Sequence, residues 1–443
     1  MDVHLPKGTR DFLPDVMRNR QRVMDRVRAV FGRYGFQPLE TPAFERIETL
    51  TGKYGNEGEK LMFRILARGE GGERGEVDLA LRYDLTVPLA RVIAMHPELT
   101  KPFKRYQMQP VWRADRPQHG RFREFWQCDV DVCGSESPMA DAECLAVVHD
   151  SLVELGFANF TIRLNDRRIL ADLAAAAGAT TDREEMSVLI ALDKLDKVGR
   201  DGVNGELSKL GFTGEPVATL WRALDDQGGN EATLAHLDAL LHERGRVGVA
   251  VLRQVLAAAA DLGVDPNRIR VDPALARGLD YYTGPVFETV VTEPKIGSIS
   301  GGGRYDELIG MFGRERVPSV GVSLGLERIT VAMEELGMLP ATSPPAQVFV
   351  TVFHEDLRSE SARIATVLRR AGVSVELFLG EATNRKSMTK QLKYAGTCGY
   401  PYVVVLGPDE VAAGVVRLKQ MATGEQRALP VAELAAAVLT QHS

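Results

Sequence analysis

Cysteine is scarce in this chain: Cys128, Cys133, Cys144 and Cys398 are the four among 443 residues. None belongs to a C-x-x-C pair and none has a histidine at zinc spacing, which argues against a metal site or a disulfide framework. Reduced core thiols are expected. Long apolar runs are missing too, none approaching the ~18 residues of a membrane span. The opening stretch MDVHLPKGTRDFLP lacks the basic-then-apolar order of a signal peptide. A cytoplasmic protein without a membrane partner is the expectation. Excess positive charge is absent, the net charge being -6 at pH 7, so any nucleic-acid binding falls to local patches rather than bulk charge. There is no G-x-x-x-x-G-K-[ST], no G-x-G-x-x-G after a strand, no internal repeat and no low-complexity tract.

What is present is an ordinary globular composition, 44% hydrophobic and 26% charged, on a length that accommodates two to three domains. Val16, Val23, Val27, Val30, Phe31 and Tyr34 recur near the 3.6-residue period and predict an amphipathic helix over 16–34. Glycine-rich ARGEGGERGE, between LMFRIL and VDLALRY, reads as a hairpin tip, and a helix is expected after Pro88. From 165 to 260 the pattern is helical and rich in Ala and Leu, predicting an inserted helical subdomain between 1–164 and 261–336. LPATSPPAQ marks a linker, assigned to 337–345, and alternating strand-like and helical runs predict a small α/β domain over 346–443. Two stretches are basic. Residues 101–123 carry seven Lys or Arg against Asp115, and residues 383–400 carry Arg385, Lys386, Lys390 and Lys393 with no acid.

The segment 103–133 is the most informative. Two strand-like runs flank a loop rich in Arg, Pro, Gln and Gly. Read with period two, the second run puts Trp126, Cys128, Val130 and Val132 on a buried face. Arg121, Arg123, Gln127, Asp129 and Asp131 share the other, with Phe125 as the exception. Basic residues at one end and carboxylates at the other suit a floor for a ligand with anionic and cationic parts. Gln127 and Asp131 lie roughly 13 Å apart along it, at ~3.3 Å per residue.

Further on, ARGLDYYTG (276–284) sets Arg277 beside two tyrosines and between glycines. Alone it reads as a turn. Together with four other ordered stretches it resembles the histidyl-tRNA synthetases, class II aminoacyl-tRNA synthetases, along nearly the whole chain. YGFQPLETP, with Pro42, looks like motif 1. PVWRADRPQHGRFREFWQCDVDV looks like motif 2, and GVSLGLER looks like motif 3, with Ser323 at a position often held by glycine. LARGLDYYTGPVFE and SGGGRYDEL resemble the signatures peculiar to the histidine enzymes. The resemblance implies an α+β fold: an antiparallel class II sheet flanked by helices, a helical insertion and a C-terminal α/β anticodon-binding domain. It implies a homodimer through motif 1.

It also implies adenylation of L-histidine by ATP with magnesium, then transfer to histidine tRNA, with no zinc and no organic cofactor. By resemblance, Arg113 and Arg277 hold the α-phosphate as the catalytic cations, and Arg121 and Arg328 reach the γ-phosphate. Arginine forks suit developing phosphate charge. Asp115, where many class II enzymes have glutamate, faces adenine. Asp84, Thr86 and Gln127 take the α-amino end of histidine, while Asp131, Tyr282 and Tyr305 line the imidazole slot. Arg116 and Gln118 approach the tRNA acceptor end. A regulatory paralogue that assists ATP phosphoribosyltransferase would lack the Arg-Gly-Leu-Asp-Tyr-Tyr run and the C-terminal domain; this chain has both.

Overall fold

The computed structural model describes residues 3–52, 59–225, 227–277, 281–313, 315–340, 344–382 and 385–440, with the side chains of residues 385 and 386 left aside. Two compact units result, Met1–Leu339 and Pro340–Ser443. Strands are numbered in chain order: β1 Gln37–Pro38, β2 Phe44–Arg46, β3 Arg64–Leu66, β4 Val77–Leu81, β5 Phe103–Trp112, β6 Glu124–Cys133, β7 Phe160–Asp166 and β8 Ile269–Val271. They continue as β9 Pro285–Val291, β10 Ser298–Arg304, β11 Ser319–Gly325, β12 Val348–Val350, β13 Val375–Leu377, β14 Tyr402–Val405, β15 Val415–Gln420 and β16 Gln426–Pro430.

The large unit is built on an eight-stranded sheet ordered β1-β5-β6-β11-β10-β9-β7-β8. From β5 to β7 every neighbour is antiparallel, and the short edge strands β1 and β8 pair parallel. Period-two alternation explains why one face is dry. Cys128, Val130 and Val132 of β6 point into a core shared with Val23, Val27 and Phe31 of the helix Pro14–Arg33 and with Leu145, Val148 and Leu152 of the helix Pro138–Leu155. Proline at the first position of both helices removes a donor that has no intrahelical partner there. Leu170, Leu189, Leu234 and Leu252, from helices between 167 and 261, belong to the same core, so the helical stretch is packed continuously with the sheet.

Three local expectations are corrected. β6 begins at Glu124, so Arg121 and Arg123 precede it in the loop, where Arg123 donates its backbone N–H to Gly8 O at 2.8 Å. Trp126 is half-buried rather than enclosed, its backbone N–H donating to Glu327 at 2.8 Å. The helix near Pro88 starts earlier, spanning Thr86–Met95, because proline is tolerated in a first turn. The glycine-rich tip does connect an antiparallel pair, β3 and β4, with one helical turn, Glu70–Glu73, inside it.

The small unit has a five-stranded sheet ordered β13-β12-β14-β15-β16, parallel among its first three strands and antiparallel after. Val348, Val350, Leu368, Val404 and Leu434 form its core.

A buried ion pair ties the large unit together. Arg20 of the first helix meets Glu327, in the helix Leu326–Glu335, at 2.8 Å, with side chains only 3% and 4% exposed. The other Glu327 oxygen accepts from Trp126, so one carboxylate joins the two helices to β6. Removing one partner leaves the other charged and dry, a loss of about 3–5 kcal/mol. Arg20→Ala is therefore expected to lower unfolding stability by that amount in urea titration; an unchanged midpoint would show that the pair holds nothing.

Candidate active site

The open face of the antiparallel sheet is a polar floor laid out in cross-strand rows. One row reads Gln107, Asp129, Ser323, Gly301, Glu288 and Arg163 across β5, β6, β11, β10, β9 and β7. The next, two residues along, reads Arg105, Asp131, Gly321, Gly303 and Val286. Above them opens a cleft of about 970 Å3, walled by the loop between β5 and β6, the Tyr281–Tyr282 pair and the start of the helix at Leu326.

Cations crowd one end. Arg113, at the end of β5, stacks on Tyr83 at 4.2 Å and donates from Nε to Tyr83 O at 3.0 Å. Arg277 pairs with Glu288, which Arg163 approaches at 3.5 Å from the far side. Arg121 forms a fork with Asp115, at 2.9 and 3.1 Å. Arg328 is anchored by Ser298 O at 2.6 Å and Gly120 O at 3.3 Å. Burial lowers the Arg328 pKa, and nearby Arg277 and Arg121 lower it further. Cations that destabilise one another in a cleft favour a polyanionic ligand.

The other end is acidic and aromatic. Asp131 is buried, with Oδ1 receiving the Tyr305 hydroxyl and Oδ2 lying 2.7 Å from Arg105 Nη2, out of line for a hydrogen bond. Burial raises the Asp131 pKa, and Arg105 and Tyr305 oppose the rise. The Tyr281 and Tyr282 rings meet edge to face at 4.7 Å, and burial raises both phenols, so these hydroxyls stay protonated. Two glycines make this packing possible. A Cβ on Gly321 would stand 1.9 Å from Asp131 Oδ1, and one on Gly303 would stand 3.0 Å from the Tyr282 ring. Gly302 faces the core instead, where a Cβ would meet the Phe287 ring at 2.6 Å. The glycines of SGGGRYDEL thus accommodate protein neighbours as well as opening the floor.

A family model described as histidyl-tRNA synthetase matches residues 8–329, and one described as anticodon binding domain matches residues 347–441. The chain belongs to the histidyl-tRNA synthetase family. The histidine–tRNA ligase of Gloeobacter violaceus is 43% identical, with 96% of each chain covered, and that of Aeropyrum pernix is 41% identical over 98% of this chain and 97% of its own. The crystal structure of histidyl-tRNA synthetase from Nostoc sp. PCC 7120 is 34% identical and superposes with a TM-score of 0.85, covering 100% of both chains. A Bacillus halodurans structure described as an ATP phosphoribosyltransferase regulatory subunit/histidyl-tRNA synthetase, 22% identical over 87% of this chain and 96% of its own at a TM-score of 0.71, shares the fold. This synthetase therefore has the α+β class II architecture and is an enzyme of the histidine–tRNA ligase type.

Of the synthetase residues singled out in the sequence, Asp84, Thr86, Arg113, Asp115, Gln118, Arg121, Gln127, Asp131, Arg277, Tyr282, Tyr305 and Arg328 all line the cleft. Arg116 does not: it is exposed on the loop. Gln118 is exposed at the rim, where its backbone pairs with that of Arg121. Gly278, Leu279 and Asp280 of the ARGLDYYTG run lie outside the described residues. Asp84 accepts from the Val87 N–H at 3.0 Å, which positions it at the first turn of the Thr86–Met95 helix. Sequence reasoning gave no role to Arg105, Glu288 or Ser323. Arg105 and Glu288 sit on strands whose partners were not readable; for Ser323 the signal was its place in motif 3.

Gly321→Ala is expected to displace Asp131 and lower stability by about 1–3 kcal/mol. Thermal unfolding beside the wild-type chain checks this, and an unshifted melting temperature would mean that the floor has slack.

Proposed function

We propose that the cleft joins L-histidine to the α-phosphate of ATP and then passes the histidyl group to the 3′ end of histidine tRNA. In the first step a histidine carboxylate oxygen attacks the α-phosphorus in line, forming the histidyl-adenylate while the bond to pyrophosphate breaks. In the second, a terminal hydroxyl of the tRNA attacks the acyl carbon, loses its proton, and AMP leaves. The observation that carries this reading is the division of one cleft into a cationic end and an acidic, aromatic end, joined by a floor of small residues.

Arg113 and Arg277 are assigned to the α-phosphate, where bidentate donors stabilise charge developing in the transition state. Glu288 steadies Arg277 for that task. Arg121 and Arg328 are assigned to the γ-phosphate. Arg121 then exchanges Asp115 for phosphate, which releases the Asp115 carboxylate toward the amino group of adenine. Magnesium would arrive with ATP, held by phosphate oxygens and water with few protein ligands. Among the described residues no group of three or more His, Cys, Asp or Glu is arranged to hold an ion. Asp84, Thr86 and Gln127 are assigned to the α-amino end. Asp131 and Tyr305 act as a pair in the imidazole slot with Tyr282, the Tyr305 hydroxyl fixing the carboxylate.

We infer that residues 346–443 bind the anticodon arm, that 165–260 is an insertion in the catalytic domain of 1–164 and 261–336, with 337–345 as linker, and that the synthetase works as a homodimer through motif 1. Arg116 and Gln118, exposed on the loop, are assigned to the acceptor end. No described helix is long and apolar enough to cross a membrane, and a cytoplasmic location fits the substrates.

Amino-acid-dependent exchange of pyrophosphate into ATP tests the first step: exchange is expected with histidine alone, and folded protein inactive with every amino acid would refute it. In the same assay Arg277→Ala should lower kcat by about 10²–10³ with the histidine KM little changed; a rise in KM alone would reassign Arg277 to histidine binding. Lys390 and Lys393 are exposed on the helix Arg385–Thr397. Replacing both by alanine should weaken tRNA binding and flatten its log–log salt dependence by about 1.5. An unchanged slope would move the tRNA contact elsewhere. The side chains of Arg385 and Lys386, from the same basic patch, lie outside the described residues.

A further inference from the structure

A buried acceptor that meets no donor has given up water for nothing, and such atoms are rare in folded proteins. Three lie along β6 on the cleft floor, and one of them, Asp131 Oδ2, has the Arg105 guanidinium at 2.7 Å. The other two, Oδ1 of Asp129 and Oε1 of Gln127, are sealed from solvent and accept no hydrogen bond from the described residues. The residues are 2% and 8% exposed and line the cleft. As alternate residues of β6 they lie roughly 7 Å apart along the strand.

Their remaining polar atoms are engaged, which leaves these two oxygens as the acceptors still to be met. Gln127 Nε2 donates to Ser323 Oγ at 2.8 Å, and the Ser323 hydroxyl hydrogen-bonds the Asp129 carboxylate. With its amide N–H committed to β11, Gln127 presents its carbonyl oxygen instead. Beyond the Ser323 hydroxyl, the surrounding strands supply no donor to Oδ1 of Asp129. Gln107, its partner across β5, gives its amide to Thr41 at 2.9 Å and to Gln109 at 2.5 Å, and Arg105 stands against Asp131. Asp84 and Asp131 both add negative potential at Asp129. A ligand group with several N–H donors and a positive charge satisfies this arrangement; a neutral one leaves the charge uncompensated.

We propose that Asp129 is a further substrate-binding residue, whose unengaged Oδ1, together with Gln127 Oε1, accepts hydrogen bonds from the α-ammonium of the amino-acid substrate while Ser323 holds both side chains in place. This rests on the reading of the cleft as an amino-acid site, and adds to it an acceptor beyond Asp84, Thr86 and Gln127.

A stability cost accompanies the role. Burial pushes the Asp129 carboxyl up to about 7, with Asp131 and Asp84 adding to the rise while Arg105 on β5 and the Ser323 hydroxyl on β11 oppose it. A carboxyl with its folded pKa above its unfolded value binds its proton more tightly in the folded chain. Stability therefore falls as pH rises from about 4 to about 7 and stays reduced above that range. A residue that binds a cationic ligand can carry this cost, whereas a purely structural one gains nothing from it.

The test compares the full-length chain with Asp129→Asn, by calorimetric titration at pH 8 with L-histidine and with imidazole-propionate, which keeps the ring and carboxylate and lacks the amine. The substitution should weaken histidine binding by about 10-fold or more and leave imidazole-propionate within 2-fold. It should also raise the melting temperature at pH 8 by more than at pH 5. Equal losses for both ligands, or no loss for histidine, would overturn the assignment. If Asp129→Asn fails to fold, Ser323→Ala reads the same selectivity, with a smaller loss for histidine expected and a loss shared by both ligands refuting it. Wild-type protein that binds histidine without exchanging pyrophosphate would sink the ligase reading while leaving this comparison intact. Wild-type protein that binds neither ligand would remove both.

Discussion

The antiparallel pairing of β6 with β5 on one side and β11 on the other is the constraint from which the site follows. Because side chains alternate along a strand, this register sends Cys128, Val130 and Val132 into the core and Gln127, Asp129 and Asp131 onto the floor. A slip of one residue would bury three polar side chains among helices and expose the valines. The Glu327 carboxylate helps to hold the register by joining the Trp126 backbone to Arg20.

Charge is separated across that floor over a few strand widths of about 4.8 Å each. Arg113, Arg121, Arg277 and Arg328 occupy one end of the cleft, and Asp131 with its tyrosine neighbours the other. Each end also holds a group whose charged form burial disfavours. Arg328 is depressed by burial and by its cationic neighbours, and Asp129 is raised by burial and by its anionic ones. Such opposed shifts in one cleft belong to a site that meets its complementary charges on the substrate. A triphosphate and an amino acid, the substrates proposed above, would bring charges of the required signs.

Small residues on the floor set the distances. Gly321 leaves space for Asp131, Gly303 for Tyr282, and Ser323 adds a hydroxyl that a glycine would lack. Close packing there bears on function, because a nucleophile displaced by even one ångström loses much of its reactivity.

The sequence by itself determined the family, the class II motifs and a set of polar residues that line the cleft, because these depend on residue types at fixed spacings. Arg277 and the paired tyrosines were legible in this way, as was the period-two face holding Gln127 and Asp131. Tertiary structure alone decided what each side chain meets. Arg105 meets Asp131 through the register of β5 with β6, and Glu288 of β9 meets Arg277 of the segment before it; register and loop path are what local pattern does not encode. Asp129 was visible on the polar face, yet the unmet acceptor at its Oδ1 could be read only once Gln107 and Ser323 stood beside it. Periodicity says which way a side chain points, whereas the field at its tip comes from neighbours that the chain brings back from far away.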